Sequence, residues 1–253
     1  MILFPAIDIR GGRCVRLTAG RFDCETVFAD DPAEMAVRWE KAGAEYLHVV
    51  DLDGALAGQS KNLEVIGRIL ASVKIPVQLG GGIRTIQNIA DCLELGVSRV
   101  ILGSIAVRDP QLVKYACRLF PGSIVAGIDA RYGEVAVEGW GVGGGVNAVA
   151  LAKTMAEAGI ERVIFTDIAR DGMLGGVNIE ATAELAKLSG LKVIASGGVA
   201  SLDDIIALKK REKDGIEGCI IGKAIYTGAV DLTAALAIAK EAQDAYEENN
   251  SMS

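Results

Sequence analysis

Two aspartates close apolar runs in the same way, Ala6-Ile7-Asp8 and Gly127-Ile128-Asp129. Paired carboxylates can serve as general base and general acid, provided that burial or a neighbouring anion lifts the acid above the free value of about 3.9, so that it holds a proton near neutrality. A lone aspartate at a strand end more often caps the loop that follows, but recurrence at two equivalent places argues for chemistry. Four glycine-bearing segments accompany the pair: Gly80-Gly81-Gly82-Ile83, Ile101-Leu102-Gly103-Ser104, Ser196-Gly197-Gly198-Val199 and Ile220-Ile221-Gly222-Lys223. Glycine lets the backbone approach an oxyanion, and its amide donors supply a fixed positive field. One such segment is as readily a bare turn. Four in two matching pairs point to two phosphate sites, and so to a long substrate phosphorylated at each end. The single histidine, His48, leaves little material for a multi-histidine metal site or a Ser-His-Asp triad. In an apolar run it is more often a core residue, so it is a supporting candidate.

The elements that must carry these residues are short and regular. Eight β-branched apolar runs fall at 2–7, 46–50, 76–79, 99–102, 124–128, 162–166, 192–195 and 218–221. Helical patterns lie between them at 32–42, 62–72, 86–95, 110–119, 146–158 and 179–188, and Asp31-Pro32 and Asp109-Pro110 read as an N-cap followed by a first-turn proline. Nearly continuous apolar strands are what a parallel sheet covered on both faces requires. Eight strand and helix units predict an α/β fold, a single (β/α)8 TIM barrel spanning residues 1–253 as one domain. The ordered matches around Asp8 and Asp129 predict two half-barrels, about 1–121 and 122–245, followed by a polar tail. Loops after the strands form the active face of such a barrel, and Asp8 and Asp129, on the first and fifth strands, would face each other across its mouth.

Composition narrows the partners. The 253 residues carry 26 Lys and Arg against 33 Asp and Glu, a net charge of -7 that is a poor match to the phosphate backbone of nucleic acid, though local basic sites for small phosphates stay open. A hydrophobic content of 51% excludes a disordered chain. Cys14, Cys24, Cys92, Cys117 and Cys219 are odd in number and form no CxxC pair, which argues against a disulfide framework or a zinc site. No basic leader and no apolar run long enough for a membrane span are visible. A cytoplasmic monomer acting on a small bisphosphate, without nucleic-acid or membrane partners, is the expectation.

Six segments carry a resemblance across essentially the whole chain: PAIDIRGGRCVRL (5–17), HVVDLDGALAG (48–58), LGGGIR (79–84), TDIARDGMLGGVN (166–178), SGGV (196–199) and IGKAIY (221–226). The sequence closely resembles the aldose-ketose isomerases of histidine biosynthesis that act on phosphoribosylformimino-aminoimidazole-carboxamide ribotide. The resemblance implies an Amadori-type rearrangement without cofactor or metal. Asp129 would be the acid that assists opening of the ribose ring, and Asp8 the base that removes the C2 proton. Thr166 and Asp171 would lie around the reacting ribose, with Asp171 ranked below the strand-end aspartates because it also reads as a turn residue. Gly81, Gly82, Gly103, Ser104, Gly176, Gly197, Gly198, Gly222 and Lys223 would hold phosphate or substrate. Arg84 is placed to complete a cradle, and Trp140, in Gly139-Trp140-Gly141, to pack on the planar base. The stretch Thr18-Ala19-Gly20-Arg21-Phe22-Asp23 departs from the Gln-Gly-Asp-Tyr-like sequence common there, so the contacts of the first loop are left open. Alternatives are an isomerase that also accepts phosphoribosylanthranilate, the cyclase subunit of imidazole glycerol phosphate synthase, and an inert bisphosphate-binding barrel. The cyclase usually carries Cys-Leu-Asp where this chain has Ala6-Ile7-Asp8.

Overall fold

The computed structural model describes residues 1–18, 21–137 and 142–241. Twelve strands run in chain order: β1 Ile2–Arg10, β2 Arg13–Thr18, β3 Arg21–Ala29, β4 Leu47–Asp51, β5 Val77–Gly80, β6 Arg99–Leu102, β7 Ile124–Arg131, β8 Glu134–Val137, β9 Val142–Asn147, β10 Arg162–Asp167, β11 Lys192–Ser196 and β12 Ile216–Ile221. Eight of them, β1, β4, β5, β6, β7, β10, β11 and β12, pair in parallel, and the β7–β10 pairing closes the ring. The expected (β/α)8 barrel is therefore observed, with each expected strand found in its place.

Strand parity sorts the side chains. On β1, Leu3, Ile7 and Ile9 pack outward into the large core beneath the helices, while Phe4 and Ala6 belong to a separate inner cluster with Tyr46, Val125, Ile164, Ile194 and Ile220. Successive strand residues point to opposite faces, so the inward series Phe4, Ala6 continues to Asp8, and Val125 on β7 leads through Gly127 to Asp129. The apolar plug fills the lower barrel, leaving the C-terminal rim to polar groups. Phe4 is fully buried in that plug, and truncation to Ala would cost about 3–5 kcal/mol.

Helices begin where the chain supplies a cap. The Asp31 carboxylate accepts from the Ala33 amide at the start of α1 (Pro32–Lys41). Asp109 does the same from Leu112 at the helix Pro110–Leu119. No helix among the described residues is long and apolar enough to cross a membrane.

Two hairpins were not foreseen. β2 returns antiparallel along β1 through Gly11 and Gly12, whose φ values of 55° and 75° suit a two-residue primed turn. β8 returns along β7 through Tyr132 and Gly133, at 53° and 82°. β2 has six residues broken by two arginines and β8 only four, so neither stands out as an apolar run. Arg16 and Leu17 of β2 and Ala136 of β8 reach the cavity described below.

Candidate active site

A cavity of about 320 Å³ opens at the C-terminal ends of the barrel strands. Asp8, His48, Asp129, Thr166 and Asp171 all line it. So do Gly81, Gly82, Arg84, Gly103 and Ser104 from the loops after β5 and β6, and Gly197, Gly198, Gly222 and Lys223 from those after β11 and β12. In the ring, these two groups of loops stand on opposite sides. Gly176 lies behind the wall rather than in it: its amide donates to the Gly198 carbonyl at 3.0 Å, so it supports the Gly197-Gly198 turn from beneath. Trp140 falls outside the described residues.

The Asp8 carboxylate is held by a residue that sequence reading passed over. Arg16, on β2, places Nη1 2.9 Å from Asp8 Oδ2, and both side chains are largely buried. The Gly11-Gly12 turn folds β2 back along β1, with Val15 paired to Asp8 and the β2 ladder irregular at Cys14/Val15, and from there the Arg16 side chain reaches Asp8. Its guanidinium occupies the space that a Cβ on Gly222 would need. The available signal was the second arginine of Arg13-Cys14-Val15-Arg16, close after an aspartate, but only the hairpin register makes the two meet.

Burial pushes the Asp8 carboxyl up from its usual range, and the Arg16 charge opposes that rise. The result is a base with raised affinity for a proton beside a cation that favours its ionised form. Arg16 is itself penalised by burial, yet the carboxylates of Asp8 and Asp171 hold its charge more firmly than usual. Asp171 is lifted to about 6, first by burial and then by the negative charges of Asp8 and Asp129, against the pull of Arg16 and Lys223. His48 moves the other way, to about 3, because burial and the nearby Arg16 charge both disfavour imidazolium. It is neutral at physiological pH.

Beneath the glycine turns lie two buried carboxylates whose task is structural. Asp51 accepts from the amides of Gly54, Lys61 and Asn62 at 2.8, 2.7 and 3.0 Å and from Asn62 Nδ2 at 2.7 Å. Asp167 accepts from the Ala169 amide at 3.0 Å and from Asn178 Nδ2 at 2.7 Å. Each fixes a loop against which a glycine pair packs. A Cβ on Gly81 would strike the Asp51 carbonyl, and one on Gly197 would lie 2.8 Å from that of Asp167. Gly82 and Gly198 meet the carbonyls of Gly54 and Gly176 in the same manner. All four have positive φ, between 76° and 108°, a region that side chains disfavour.

Two cations in the wall are already engaged. Arg84 donates to the Ala55 carbonyl at 3.3 Å and lies against Gly58, while Lys223 Nζ donates to the Gly172 carbonyl at 2.9 Å. Among the described residues, no group of three or more His, Cys, Asp or Glu could hold a metal ion.

The profile of the histidine biosynthesis protein family matches residues 2–231. The chain belongs to that family. Three relatives within it are named as isomerases. A protein of Desulforamulus reducens is 58% identical over 240 residues, covering 95% of this chain and 98% of its own. One from Geobacter sulfurreducens is 56% identical with the same coverage, and one from Heliobacterium modesticaldum is 52% identical over 241 residues, 95% and 98%. Each is named 1-(5-phosphoribosyl)-5-((5-phosphoribosylamino)methylideneamino)imidazole-4-carboxamide isomerase. The resemblance drawn from the six motifs is thus upheld along nearly the whole chain, and the relatives just described carry the name of the isomerase.

Proposed function

We propose that this chain converts the bisphosphorylated aminoaldose ribotide of histidine biosynthesis into its aminoketose by an intramolecular Amadori rearrangement. The observation that carries the reading is the Asp8–Arg16 pair beside Asp171 in one cavity, with glycine turns on opposite sides of it. The relatives' name contains two phosphoribosyl groups, in keeping with a ligand that needs an anion cradle at each end.

The reaction starts with protonation of the ribose ring oxygen as the C1–O bond breaks and the C1–N bond becomes a Schiff base. Asp8, ionised beside Arg16, takes the proton from C2 and leaves an enolamine. Tautomerisation puts the ketone at C2 and a hydrogen on C1, so the sum is an isomerisation with no external oxidant or reductant. Acid and base steps of this kind each contribute about 10² to 10⁴ in rate.

Asp129 is the acid that the strand-end pattern points to. One observation favours Asp171 instead: burial and the charges of Asp8 and Asp129 lift it to about 6, within reach of neutrality, and substrate phosphate would raise it further. We assign the proton to Asp171 and give Asp129 the part of a neighbouring charge that keeps it there. Thr166 pairs in register with Asp129, and its hydroxyl is suited to orient the reacting ribose. We further propose that residues 1–253 form one domain of two half-barrels, acting in the cytoplasm as a monomer without nucleic acid, membrane or cofactor.

Turnover of the bisphosphate aldose by the purified chain, with no ammonia and no partner, tests the assignment. Production of the ketose supports it, while binding without turnover would favour an inert barrel. Trp140 stacking would suit either an imidazole carboxamide or an anthranilate, but phosphoribosylanthranilate would leave one cradle empty. A kcat/KM strongly favouring the bisphosphate is expected, and Trp140→Ala should weaken its use. Similar values for both substrates would mean a bifunctional enzyme.

A further inference from the structure

One fully buried polar side chain in the barrel has no part in the mechanism above. Gln78 lies on β5 in register with His48 on β4, and its Nε2 sits 3.1 Å from His48 Nδ1. The amide nitrogen can only donate, so the imidazole nitrogen facing it must be the bare one. The neutral ring then carries its single proton on Nε2. Turning the amide over would set two donors together on its other side. Gln78 is in register there with Arg99 on β6, and Gln78 Oε1 and Arg99 Nη1, an acceptor and a donor, are both buried without a hydrogen-bond partner. The acceptor end of the amide, Oε1, therefore belongs toward β6 and the donor end toward His48.

The rest of the ring's surroundings leave Nε2 for the cavity. His48 lines it, and among the described residues Nε2 has no partner, nor is it one of the sealed polar atoms. Arg16 is the charged group acting on the ring, and it opposes protonation. A ring that stays neutral has one donor to offer, and which nitrogen offers it is decided by Gln78.

We infer that Gln78 is a positioning residue: its amide fixes His48 in the Nε2–H tautomer and so aims one hydrogen-bond donor at the reacting substrate. The inference rests on the isomerase reading of the cavity. It gives His48 an electrophilic task, donation to a substrate oxygen, instead of acid–base exchange. It also accounts for a buried glutamine in a strand that is otherwise Val, Leu and Gly.

Because His48 is the sole histidine, an untagged, 15N-histidine-labelled chain gives one imidazole spectrum. Wild type is expected to show a protonated Nε2 and a bare Nδ1, unchanged between about pH 5 and 8. Gln78→Glu presents an acceptor to Nδ1 and should transfer the proton there or charge the ring. Gln78→Leu should leave a mixture of tautomers. Both variants should lose about tenfold or more in kcat, the worth of one hydrogen bond, with KM moved much less. A wild-type ring protonated on Nδ1 would overturn the inference. So would a tautomer that shifts in Gln78→Glu while kcat stays at the wild-type value. Failure of the wild-type chain to turn over the bisphosphate is a separate result, and would remove the isomerase reading while the spectrum still reported the tautomer.

Discussion

The two sides of the barrel mouth are built on the same backbone and furnished with different charges. On one side, Asp51 ties Asn62 beneath Gly81-Gly82, and on the other Asp167 ties Asn178 beneath Gly197-Gly198. The glycines that open the short helices Ser104–Arg108 and Lys223–Thr227 share an unusual conformation, φ/ψ of -90°/-103° at Gly103 and -108°/-108° at Gly222. The side chains part company at that point. A Cβ at Gly103 would meet open space, whereas Arg16 presses against Gly222 and Lys223 reaches the Gly172 carbonyl. Asp8, Asp171, Arg16 and Lys223 act on one another electrostatically. The glycine turn is thus a backbone device that occurs twice, while the charge around it is uneven and comes from side chains on the loops and the first hairpin.

The comparison can be broken most sharply at the acid. Asp171→Asn should lower kcat by about 10² to 10⁴, the span expected for losing a general acid, with the bisphosphate still bound. A variant at wild-type rate would return the role to Asp129. Alanine at Gly82 or Gly198 should raise KM by about 10- to 100-fold, the equivalent of the strain of a side chain at positive φ. Crystals soaked in sulfate should then lose density at the altered end alone. Loss at both ends would mean that the cradles are not separate.

Asp129→Asn gives a finer test. The Asp129 charge helps to raise Asp171, so removing it should lower that pKa and move the alkaline limb of kcat/KM about half to one pH unit toward acid. If Asp129 were the acid, the variant would instead lose activity at every pH. The smallest effect is on stability. Asp171 titrates at about 6 in the fold against an ordinary 3.8, so the native state binds more protons in between and stability falls as pH rises through that window. Asp171→Asn should therefore be more stable than wild type above pH 6 by about 1–2 kcal/mol, reduced by solvent at the cavity mouth. The two proteins should match below about pH 4. Urea midpoints at both pH values would show it.

The barrel was legible because its strands are buried on both faces, as β10 is along its whole length, and such runs stand out from helices of 3.6 periodicity. Asp8 and Asp129 could be read as rim residues because parity carries Phe4, Ala6 and Val125, Gly127 inward below them. Arg16 could not, since its approach to Asp8 depends on the Gly11-Gly12 turn and a β2 strand whose polar residues hide it. Asp171 was ranked below the strand-end aspartates for a related reason. Arg170-Asp171-Gly172 reads as a turn, and only the folded loop brings its carboxyl near two others. Gln78 was passed over within an apolar run, although a lone amide in a strand with no solvent-facing side is itself a signal.

The central claim is that Asp8 removes the C2 proton of a doubly phosphorylated aldose. It is tested most directly by following substrate C2–H by NMR in deuterium oxide with wild-type and Asp8→Asn protein, alongside calorimetry of substrate binding. The wild-type chain should break the C2–H bond and form the ketose, and Asp8→Asn should bind with similar affinity yet leave that hydrogen in place for about 10² to 10⁴ times longer. Loss of the C2 hydrogen from the Asp8→Asn complex at the wild-type rate would contradict the account.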